Sequence, residues 1–425
     1  MNENKKILVI TVPSWNSKVG ANSWESLLKR YPAENVASIY IRNEIPDSPV
    51  CSRYFNISEN KIIKSLYRWG MQTGVEVSSE VADPQQEADL QTHNARYARM
   101  KKKRPYSLLL ARELIWKLGR WKTPELDAFL DSFQPDVILH AMDGYIHLNR
   151  IIQYAIKRTG AAAVGYIWDD NFTYKQSSDL GYKIYRFFQR RSVKALAKQT
   201  KEFFAISPLT KKESDEFFGI NCHLLTKPLS AEPMVRAGQV GECINILYTG
   251  NLYIGRDQSL LKVVNAVKNK YKGRFFIDVY TNSQLEEDYL AQIDPTVCKI
   301  HDPIPQSEVL EKQRQADVLL FLEDIDGKDA KVARLSFSTK ITDYLSAGKC
   351  IMAVGNIDTA PLQYFIENNA ALACGSVAQI EEALTKISNS PELLTEMAEH
   401  AAKAGRENHN KEKIQSTFDK VIASI

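Results

Sequence analysis

The chain has 425 residues, which is more than one hydrophobic core usually supports, so we expect two domains of roughly 200 residues each. A net charge of +4 is too small to indicate a nucleic-acid-binding protein, and a hydrophobic content of 44% is ordinary for a globular chain. The six cysteines include no CxxC or Cys/His pairing. This argues against a zinc site or a disulfide framework and favours a reducing, cytoplasmic compartment.

No apolar run reaches the roughly 18 residues of a transmembrane helix, and the N-terminal apolar run is too short for a signal peptide.

The first strand and the loop after it form the first candidate site. Residues 6–12 are nearly continuous in Val, Ile and Leu, as in a strand buried on both faces of a parallel sheet. The next loop contains Gly20 and Asn22. Because open α/β sheets bind ligands at the carboxyl ends of strands, this loop is placed to border a ligand; a plain turn is the alternative.

A basic segment interrupts the first half. Residues 36–42 predict a second strand, after which strands and helices cease to alternate. The run from Arg96 to Arg104 is rich in Lys and Arg, has no acidic residue, and precedes a predicted helix with Trp116 and Trp121 nearby. Cations beside a tryptophan-bearing helix are typical of a contact with anionic lipid. Residues 96–121 therefore predict either a membrane-surface contact or a solvated loop beside a helix that packs on its own domain.

Two later strands end in side chains that carry chemistry. One ends at His140 and is followed by Asp143, and the next is followed by Asp169 and Asp170. Because parallel strands end at a common edge of the sheet, we predict that these groups face one site. For His140 a second interpretation stays open, as a buried and hydrogen-bonded core residue.

The domain boundary is predicted from composition. Residues 182–199 predict a helix rich in arginine and lysine, either a solvated face or part of the same basic surface. Residues 228–241 are rich in Pro, Gly and small residues and lack a hydrophobic period, as in an interdomain linker. We therefore predict a first domain over residues 1–232 and a second over residues 233–406.

The second half restarts the strand–helix pattern with a strand over residues 244–249. The next loop carries Gly250, Asn251 and Arg256, and the following strand ends at Thr281. A glycine-flanked loop lets the backbone approach a diphosphate, and an arginine can hold its oxygens through two parallel N–H bonds.

Residues 330–355, AKVARLSFSTKITDYLSAGKCIMAVG, predict a turn, a helix and a buried strand. Apolar residues recur at helical spacing, and Gly348 stands where a left-handed C-cap belongs. The turn contains Ser338 and Thr339. Because the first turn of a helix presents backbone N–H groups, this helix mouth suits a phosphate or diphosphate; an ordinary capped helix is the alternative.

The run from Phe337 to Lys349 resembles the donor-site segment of retaining GT-B glycosyltransferases of the glycogen-synthase-like superfamily, family 4 in particular. The resemblance implies an α/β fold with two Rossmann-like domains facing across a cleft. It also implies that a final helix, residues 407–425, packs back on the first domain. By position, Ser338 and Thr339 would contact the donor diphosphate, and Asp343 would hold the ribose.

Further positions follow from the same resemblance. The loop with Arg256 resembles the first loop of the donor domain, where a basic residue neutralises the leaving diphosphate, and Lys340 is a second candidate for this role. Ile304 lies in a segment that resembles the one reading the nucleotide base. The donor-side candidates are Gly250, Asn251, Arg256, Thr281, Ile304, Ser338, Thr339, Lys340 and Asp343. The acceptor-side candidates are Gly20, Asn22 and His140. The catalytic candidates are Arg256, Asp143, Asp170 and Lys340.

The sequence departs from the family pattern at two positions. The family has a pair of glutamates separated by seven residues. In this sequence the second of these positions is Asp343 and the first is Leu335. One expected contact to the donor sugar is therefore missing. Cys350 replaces a common proline, a change that we expect to affect structure alone.

The resulting prediction is a glycosyltransferase that moves a sugar from a nucleotide diphosphate sugar to a glycan or lipid-linked saccharide, with retention, in bacterial capsule or exopolysaccharide synthesis. We expect no cofactor, no metal and no nucleic-acid partner, and we interpret the acidic residues 323–329 as a hydrophilic loop. The expected location is the cytoplasm, with any membrane contact at the inner face. Two alternatives stay open: a catalytically silent binding protein of the same fold, and a nucleotide-sugar epimerase.

Overall fold

The structure is a computed structural model that describes residues 4–16, 23–77, 106–169, 177, 179–235, 241–326 and 334–425. The chain divides into two compact units. The first unit comprises Met1–Ala205, Lys211–Leu224 and Gln415–Ile425, and the second comprises Ile206–Thr210 and Leu225–Ile414. The domain boundaries that we placed at residues 232 and 406 from the sequence stay predictions.

The first unit is built on a parallel sheet with one antiparallel edge. Its strands are β1 Ile7–Thr11, β2 Val36–Tyr40, β3 Arg53–Ile57, β4 Gly74–Val77, β5 Val137–Ala141, β6 Ala162–Ile167, β7 Glu202–Ala205 and β8 His223–Leu224. The helices up to this point are α1 Ser23–Leu28, α2 Glu59–Ser65, α3 Tyr106–Leu118, α4 Pro124–Phe133, α5 Ile146–Thr159, α6 Leu180–Ala197 and α7 Pro208–Phe218. Across the sheet the order is β4-β3-β2-β1-β5-β6-β7-β8, and β3 pairs with β4 in the antiparallel sense.

The centre of this sheet is buried on both faces. Every residue of β1, β2 and β5 is buried, and Ile7 pairs with Val36 on one side and with Val137 on the other. Continuous runs of Val, Ile and Leu produce such strands because a parallel sheet is covered by helices on both sides. Burial of these apolar side chains is the main force that holds the unit together.

The second unit contains a wholly parallel sheet among its described strands. The strands are β9 Ile244–Thr249, β10 Phe275–Tyr280, β11 Cys298–His301, β12 Val318–Leu322, β13 Cys350–Val354 and β14 Leu372–Cys374. The remaining helices are α8 Arg256–Lys270, α9 Glu287–Leu290, α10 Gln306–Gln315, α11 Lys340–Ala347, α12 Ala360–Glu367, α13 Val377–Asn389, α14 Leu393–Asn408 and α15 Lys411–Ser424. The sheet order is β11-β10-β9-β12-β13-β14.

The strand order of the second sheet is that of the Rossmann fold. Counted from β9, it reads 3-2-1-4-5-6, so the direction of winding reverses between β9 and β12. The first sheet reverses in the same way between β1 and β5. Ligands of open α/β sheets bind beyond the carboxyl ends of the strands at this switch point. The predicted fold class, two Rossmann-like α/β domains, is confirmed.

The C-terminal helix contributes its last residues to the first unit. Phe418 of α15 packs against Trp24 and Tyr31, with ring centroids 6.4 and 6.2 Å apart. The side-chain amide of Gln415 donates a hydrogen bond of 3.0 Å to the carbonyl of Leu27. These aromatic and polar contacts fix the helix to α1 and the loop after it.

One expectation for the region around α3 is wrong. Trp116 and Trp121 are both buried, so neither ring can anchor the protein in lipid. Trp116 stacks on His147 at 4.6 Å, and the carboxylate of Glu113 lies 2.8 Å from Nδ1 of the same histidine. This buried polar contact turns the face of α3 that carries Glu113 and Trp116 inward. The basic run up to residue 105 lies outside the described residues, and no helix of the described chain is long and apolar enough to cross a membrane.

Candidate functional site

The switch point of the second unit brings together the loop after β9 and the loop after β12. Gly250 and Gly255 both have positive φ, 133° and 73°. A Cβ on Gly255 would lie 2.5 Å from Cγ of Asp324, so only glycine allows the two loops to approach this closely. The short loop then passes directly into α8, whose first residue is Arg256.

Arg256 is held by Glu323, the residue that follows β12. Its Nη2 donates to both carboxylate oxygens of Glu323 at 2.9 and 3.0 Å, and its Nε donates to the carbonyl of Leu322 at 3.1 Å. The two side chains are only 17% and 6% exposed. Burial by itself would lower the pKa of Arg256, but the facing carboxylate raises it above its ordinary value. The arginine is therefore a permanent and firmly oriented cation.

Lys340, the first residue of α11, lies in the same place. Its Nζ donates a hydrogen bond of 2.8 Å to the hydroxyl of Tyr248, and a Cβ on Gly250 would lie 2.3 Å from that Nζ. Burial, and next the charge of Arg256, lower the pKa of Lys340 to about 7, against the opposing effect of Glu323. The structure thus brings together the two cations that the sequence singled out, and places one of them near its titration point at neutral pH.

Two backbone N–H groups at the mouth of α11 are bonded to the preceding turn. The hydroxyl of Ser338 accepts a hydrogen bond of 3.3 Å from the backbone N–H of Lys340, and the carbonyl of Ser338 accepts one of 3.1 Å from Ile341. Thr339 is exposed at the N-cap position and makes no side-chain cap bond. At the other end, a Cβ on Gly348 would lie 2.4 Å from the carbonyl oxygen of Met234, so the predicted glycine C-cap is required sterically.

Asp343 is engaged by Ser230, which lies in the segment predicted as a linker, and by Lys227 directly before that segment. Its carboxylate accepts a hydrogen bond of 2.6 Å from the hydroxyl of Ser230 and one of 3.3 Å from Nζ of Lys227. Both partners precede the second sheet by many residues, so no local pattern could identify them. A sugar hydroxyl that binds Asp343 has the hydroxyl of Ser230 as its direct competitor.

The position of the missing family carboxylate is apolar and buried. Leu335 is buried, and its carbonyl accepts a hydrogen bond of 3.2 Å from Thr210. The acidic residues 323–329 were interpreted as a hydrophilic loop. The first two of them, Glu323 and Asp324, are instead buried. Glu323 is thus a carboxylate of the candidate site that sequence reasoning missed, although its place directly after a buried strand was a usable signal.

The outer donor candidates lie on neighbouring loops. Thr281 is buried, and its hydroxyl accepts a hydrogen bond of 3.0 Å from Ser283, while Asn251 is exposed. Ile304 is half-buried after β11. Beside it, the ring of His301 stacks on Tyr280 at 4.5 Å, a flat aromatic surface that the sequence did not predict.

The first unit gathers carboxylates at its own switch point. Asp143 follows β5, and its pKa is raised to about 7, first by burial and then by the charge of Asp169, with Arg42 opposing. Asp170, together with Gly20 and Asn22, lies outside the described residues.

His140 is a core residue of this unit and has no exposed surface. Its ring nitrogens lie 3.3 Å from the carbonyl of Ala141 and 3.1 Å from the hydroxyl of Thr200, and burial lowers its pKa to about 4. The structure therefore supports the core interpretation of His140 over a place on the acceptor side.

Comparisons with known proteins support the fold. No family model and no curated protein matches the chain in sequence. Among solved structures, HepE from Anabaena, crystallised with UDP, matches with a TM-score of 0.64 at 10% identity, over 99% of this chain and 100% of that one. The α,α-trehalose 6-phosphate synthase of Burkholderia multivorans matches with a TM-score of 0.60 at 10% identity, over 99% and 96%. A glycosyltransferase from Rickettsia africae matches with a TM-score of 0.57 at 10% identity, over 98% of each chain.

At this level of sequence identity the similarity concerns the fold. Both sheets, their helices and nearly the whole length of each chain are included in it. The chain has the GT-B fold of these glycosyltransferases.

Proposed function

We propose that the protein is a glycosyltransferase that uses a nucleotide diphosphate sugar as donor. One observation carries the proposal: Arg256, Lys340 and the mouth of α11 meet at the switch point of a Rossmann-type sheet. Two cations and a helix N-terminus are suited to a doubly charged diphosphate. HepE, which shares the fold, has been crystallised with UDP, with UDP and glucose, and with UDP-glucose.

In the proposed reaction the bond between the anomeric carbon and the donor diphosphate breaks, and a bond to an acceptor hydroxyl forms. The proton of that hydroxyl leaves with the diphosphate. Negative charge builds on the departing oxygens, and preorganised cations stabilise that charge in the transition state. Arg256 supplies a fixed charge because Glu323 orients it, and Lys340 supplies one when protonated. We expect retention of configuration, with neither cofactor nor metal.

The donor would be placed by Asp343 on the ribose, by Ser338 and Thr339 on the diphosphate, and by Ile304 on the base. Gly250 and Asn251 would contact it through their backbone. Ser230 would leave the carboxylate of Asp343 when a ribose hydroxyl takes its place.

The acceptor would bind to the first unit near Asp143 and Asp170. We propose a glycan or lipid-linked saccharide, as in bacterial capsule or exopolysaccharide synthesis, and a cytoplasmic location. Asp143 supports a role in handling the acceptor hydroxyl, because a carboxyl with a pKa of about 7 exchanges its proton readily at neutral pH.

A single assay tests the reaction. The full chain is incubated with a panel of nucleotide sugars, with and without a lipid extract, and release of nucleoside diphosphate is followed. Transfer predicts release that depends on the extract and falls at least ten-fold in Lys340→Met. The matched control is Lys403→Met, which removes an exposed lysine of the same unit. Undiminished release in Lys340→Met would contradict the assignment.

The same assay separates the alternatives. A silent binding protein, which the apolar Leu335 favours, binds nucleotide and releases none. An epimerase converts the donor sugar without extract and without release of diphosphate. Chromatography of the recovered nucleotide sugars distinguishes these two outcomes.

A further inference from the structure

Helix α6 exposes an apolar stripe on the surface of the first unit. One face packs inward through Tyr182, Tyr185, Gln189, Val193 and Leu196. The opposite face carries Leu180, Ile184, Phe187 and Phe188, all exposed, with Leu180 at 70% and Phe187 at 63%. The spacing of these four residues places them on one side of a helix. Large apolar side chains that line up in solvent usually mark a contact surface.

Cations flank this stripe. Helix α6 contains five lysines and arginines and no acidic residue: Lys183, Arg186, Arg190, Arg191 and Lys194. Arg190 and Lys194 lie 4.7 and 4.6 Å from the centre of the Phe217 ring. A groove of about 450 Å³ opens along the same residues.

Two neighbouring elements also expose apolar side chains. Helix α3 packs on α6 through the rings of Tyr106 and Tyr182, 4.9 Å apart, and exposes Leu114 and Leu118. Helix α3 is joined in turn to α2 by the ion pair of Arg112 with Glu59 at 2.6 Å.

The turn after α2 exposes Tyr67 and Trp69. Trp69 is 89% exposed, and its ring centre lies 4.2 Å from the guanidinium of Arg120. We call the exposed apolar residues of α6, α3 and this turn the apolar surface; they are Leu180, Ile184, Phe187, Phe188, Leu114, Leu118, Tyr67 and Trp69.

We infer that the apolar surface docks the first unit onto an anionic lipid bilayer. Aliphatic and aromatic side chains at these positions enter the boundary between headgroups and acyl chains, while the lysines and arginines of α6 pair with anionic headgroups. A membrane is favoured over a protein partner because the charge is of one sign along the whole of α6. The contact shares α3 with the one predicted for residues 96–121, but it uses exposed side chains in place of the buried Trp116 and Trp121, and it does not depend on the transfer reaction.

The test is co-sedimentation of the full chain with lipid vesicles. One set contains phosphatidylcholine alone, and the other adds phosphatidylglycerol. We expect at least ten-fold stronger binding to the anionic set, and at least a ten-fold loss in the double variant Phe187→Ser, Phe188→Ser. The matched control, Ile357→Ser with Ile366→Ser, removes two apolar residues of the second unit that are 50% and 49% exposed, and it should bind like the wild type.

A second variant separates charge from apolar contact. Arg191→Glu with Lys194→Glu should abolish the preference for phosphatidylglycerol, with an unchanged far-ultraviolet circular dichroism spectrum as the check on folding. Equal binding to both vesicle sets, or unchanged binding of the double phenylalanine variant, would overturn the inference. A wild-type dimer in light scattering that the phenylalanine variant dissociates, without vesicle binding, would assign the surface to a second copy of the chain instead. No nucleotide enters this experiment, so its result is independent of the proposed activity.

Discussion

Lys340 and Tyr248 are 92 residues apart in the chain and are joined by a hydrogen bond of 2.8 Å from the ammonium to the phenol. The same Nζ lies 4.5 Å from the centre of the tyrosine ring. The contact fixes the first residue of α11 against the end of β9. The mouth of the helix therefore lies beside the loop that leads to Arg256. Burial raises the pKa of Tyr248 well above its ordinary value, so this phenol stays neutral. It can orient the ammonium without neutralising it.

Replacing Gly250 by alanine should displace Lys340. The new Cβ would lie 2.3 Å from Nζ, and the φ of 133° adds backbone strain of about 1–3 kcal/mol. We expect at least a ten-fold loss of UDP affinity by calorimetry. Gly273→Ala is the control, because φ there is 85° and no atom lies within 4 Å of the new Cβ. It should lose stability in urea and keep its affinity; equal affinity losses in both variants would contradict the steric argument.

Binding of a nucleoside diphosphate should depend on pH through Lys340. In the free protein the pKa of this ammonium is about 7, and a bound anion raises it, so binding above pH 7 takes up a proton. Affinity should therefore fall as pH rises above 7, by at most about ten-fold per pH unit. Calorimetry in two buffers of different ionisation enthalpy measures the proton directly. A flat affinity between pH 7 and 9, or the same proton uptake in Lys340→Met, would refute this linkage.

Asp343→Asn should weaken the binding of a ligand that contains ribose and leave the binding of inorganic diphosphate unchanged. A hydrogen bond to a charged group contributes about 1.5–3 kcal/mol, so UDP affinity should fall roughly 10- to 100-fold. Inorganic diphosphate has no ribose, and its affinity should stay within two-fold of wild type. If both ligands weaken equally, Asp343 acts on the shape of the α11 turn and not on a sugar hydroxyl.

Replacing only one partner of the ion pair between Arg256 and Glu323 should lower the free energy of unfolding. Arg256→Met leaves a buried carboxylate without its partner, and we expect a loss of about 3–5 kcal/mol in urea unfolding. Arg256→Met with Glu323→Leu should recover most of the stability but not the UDP affinity. Arg406→Met breaks an exposed pair with Glu232 and should cost less than about 1 kcal/mol. A single variant as stable as wild type would show that Glu323 finds another partner.

Asp143 should make the protein less stable as pH rises. Its pKa is 3.8 ordinarily and about 7 in the fold, so between these values the native state binds the proton more tightly than the unfolded chain does. The free energy of unfolding should therefore decrease from pH 4 to pH 7, and Asp143→Asn should remove this part of the slope. Asp169→Asn should reduce it, because the charge of Asp169 is the second cause of the shift. Identical slopes in all three proteins would contradict the assignment.

The sheets could be predicted from the sequence because their strands are continuous apolar runs, and Gly348 was predictable because few residues other than glycine adopt a left-handed C-cap. The inner face of α3 was not. Leu108 and Leu118 stand at helical spacing but are both exposed, and the buried residues are Glu113 and Trp116. Burial of Glu113 depends on His147, which lies 34 residues further along the chain.

The candidate site was predictable to the extent that single residues follow strands or open helices. Arg256 and Lys340 were found in this way. Their partners were not, because Glu323 meets Arg256, and Tyr248 meets Lys340, through tertiary contacts that leave no local spacing to detect. The absence of the family carboxylate at Leu335 was visible in the sequence, while Glu323, a carboxylate of the candidate site, was hidden in an acidic run.

The pairing of Arg256 with Glu323 also determines what an incoming nucleotide encounters. The guanidinium already has its counter-charge, so at pH values where Lys340 is neutral the mouth of α11 exerts little long-range pull on anions. Long-range attraction therefore contributes little to the binding of any phosphorylated molecule at this position. Discrimination between anions at this position therefore falls to short-range donors and acceptors.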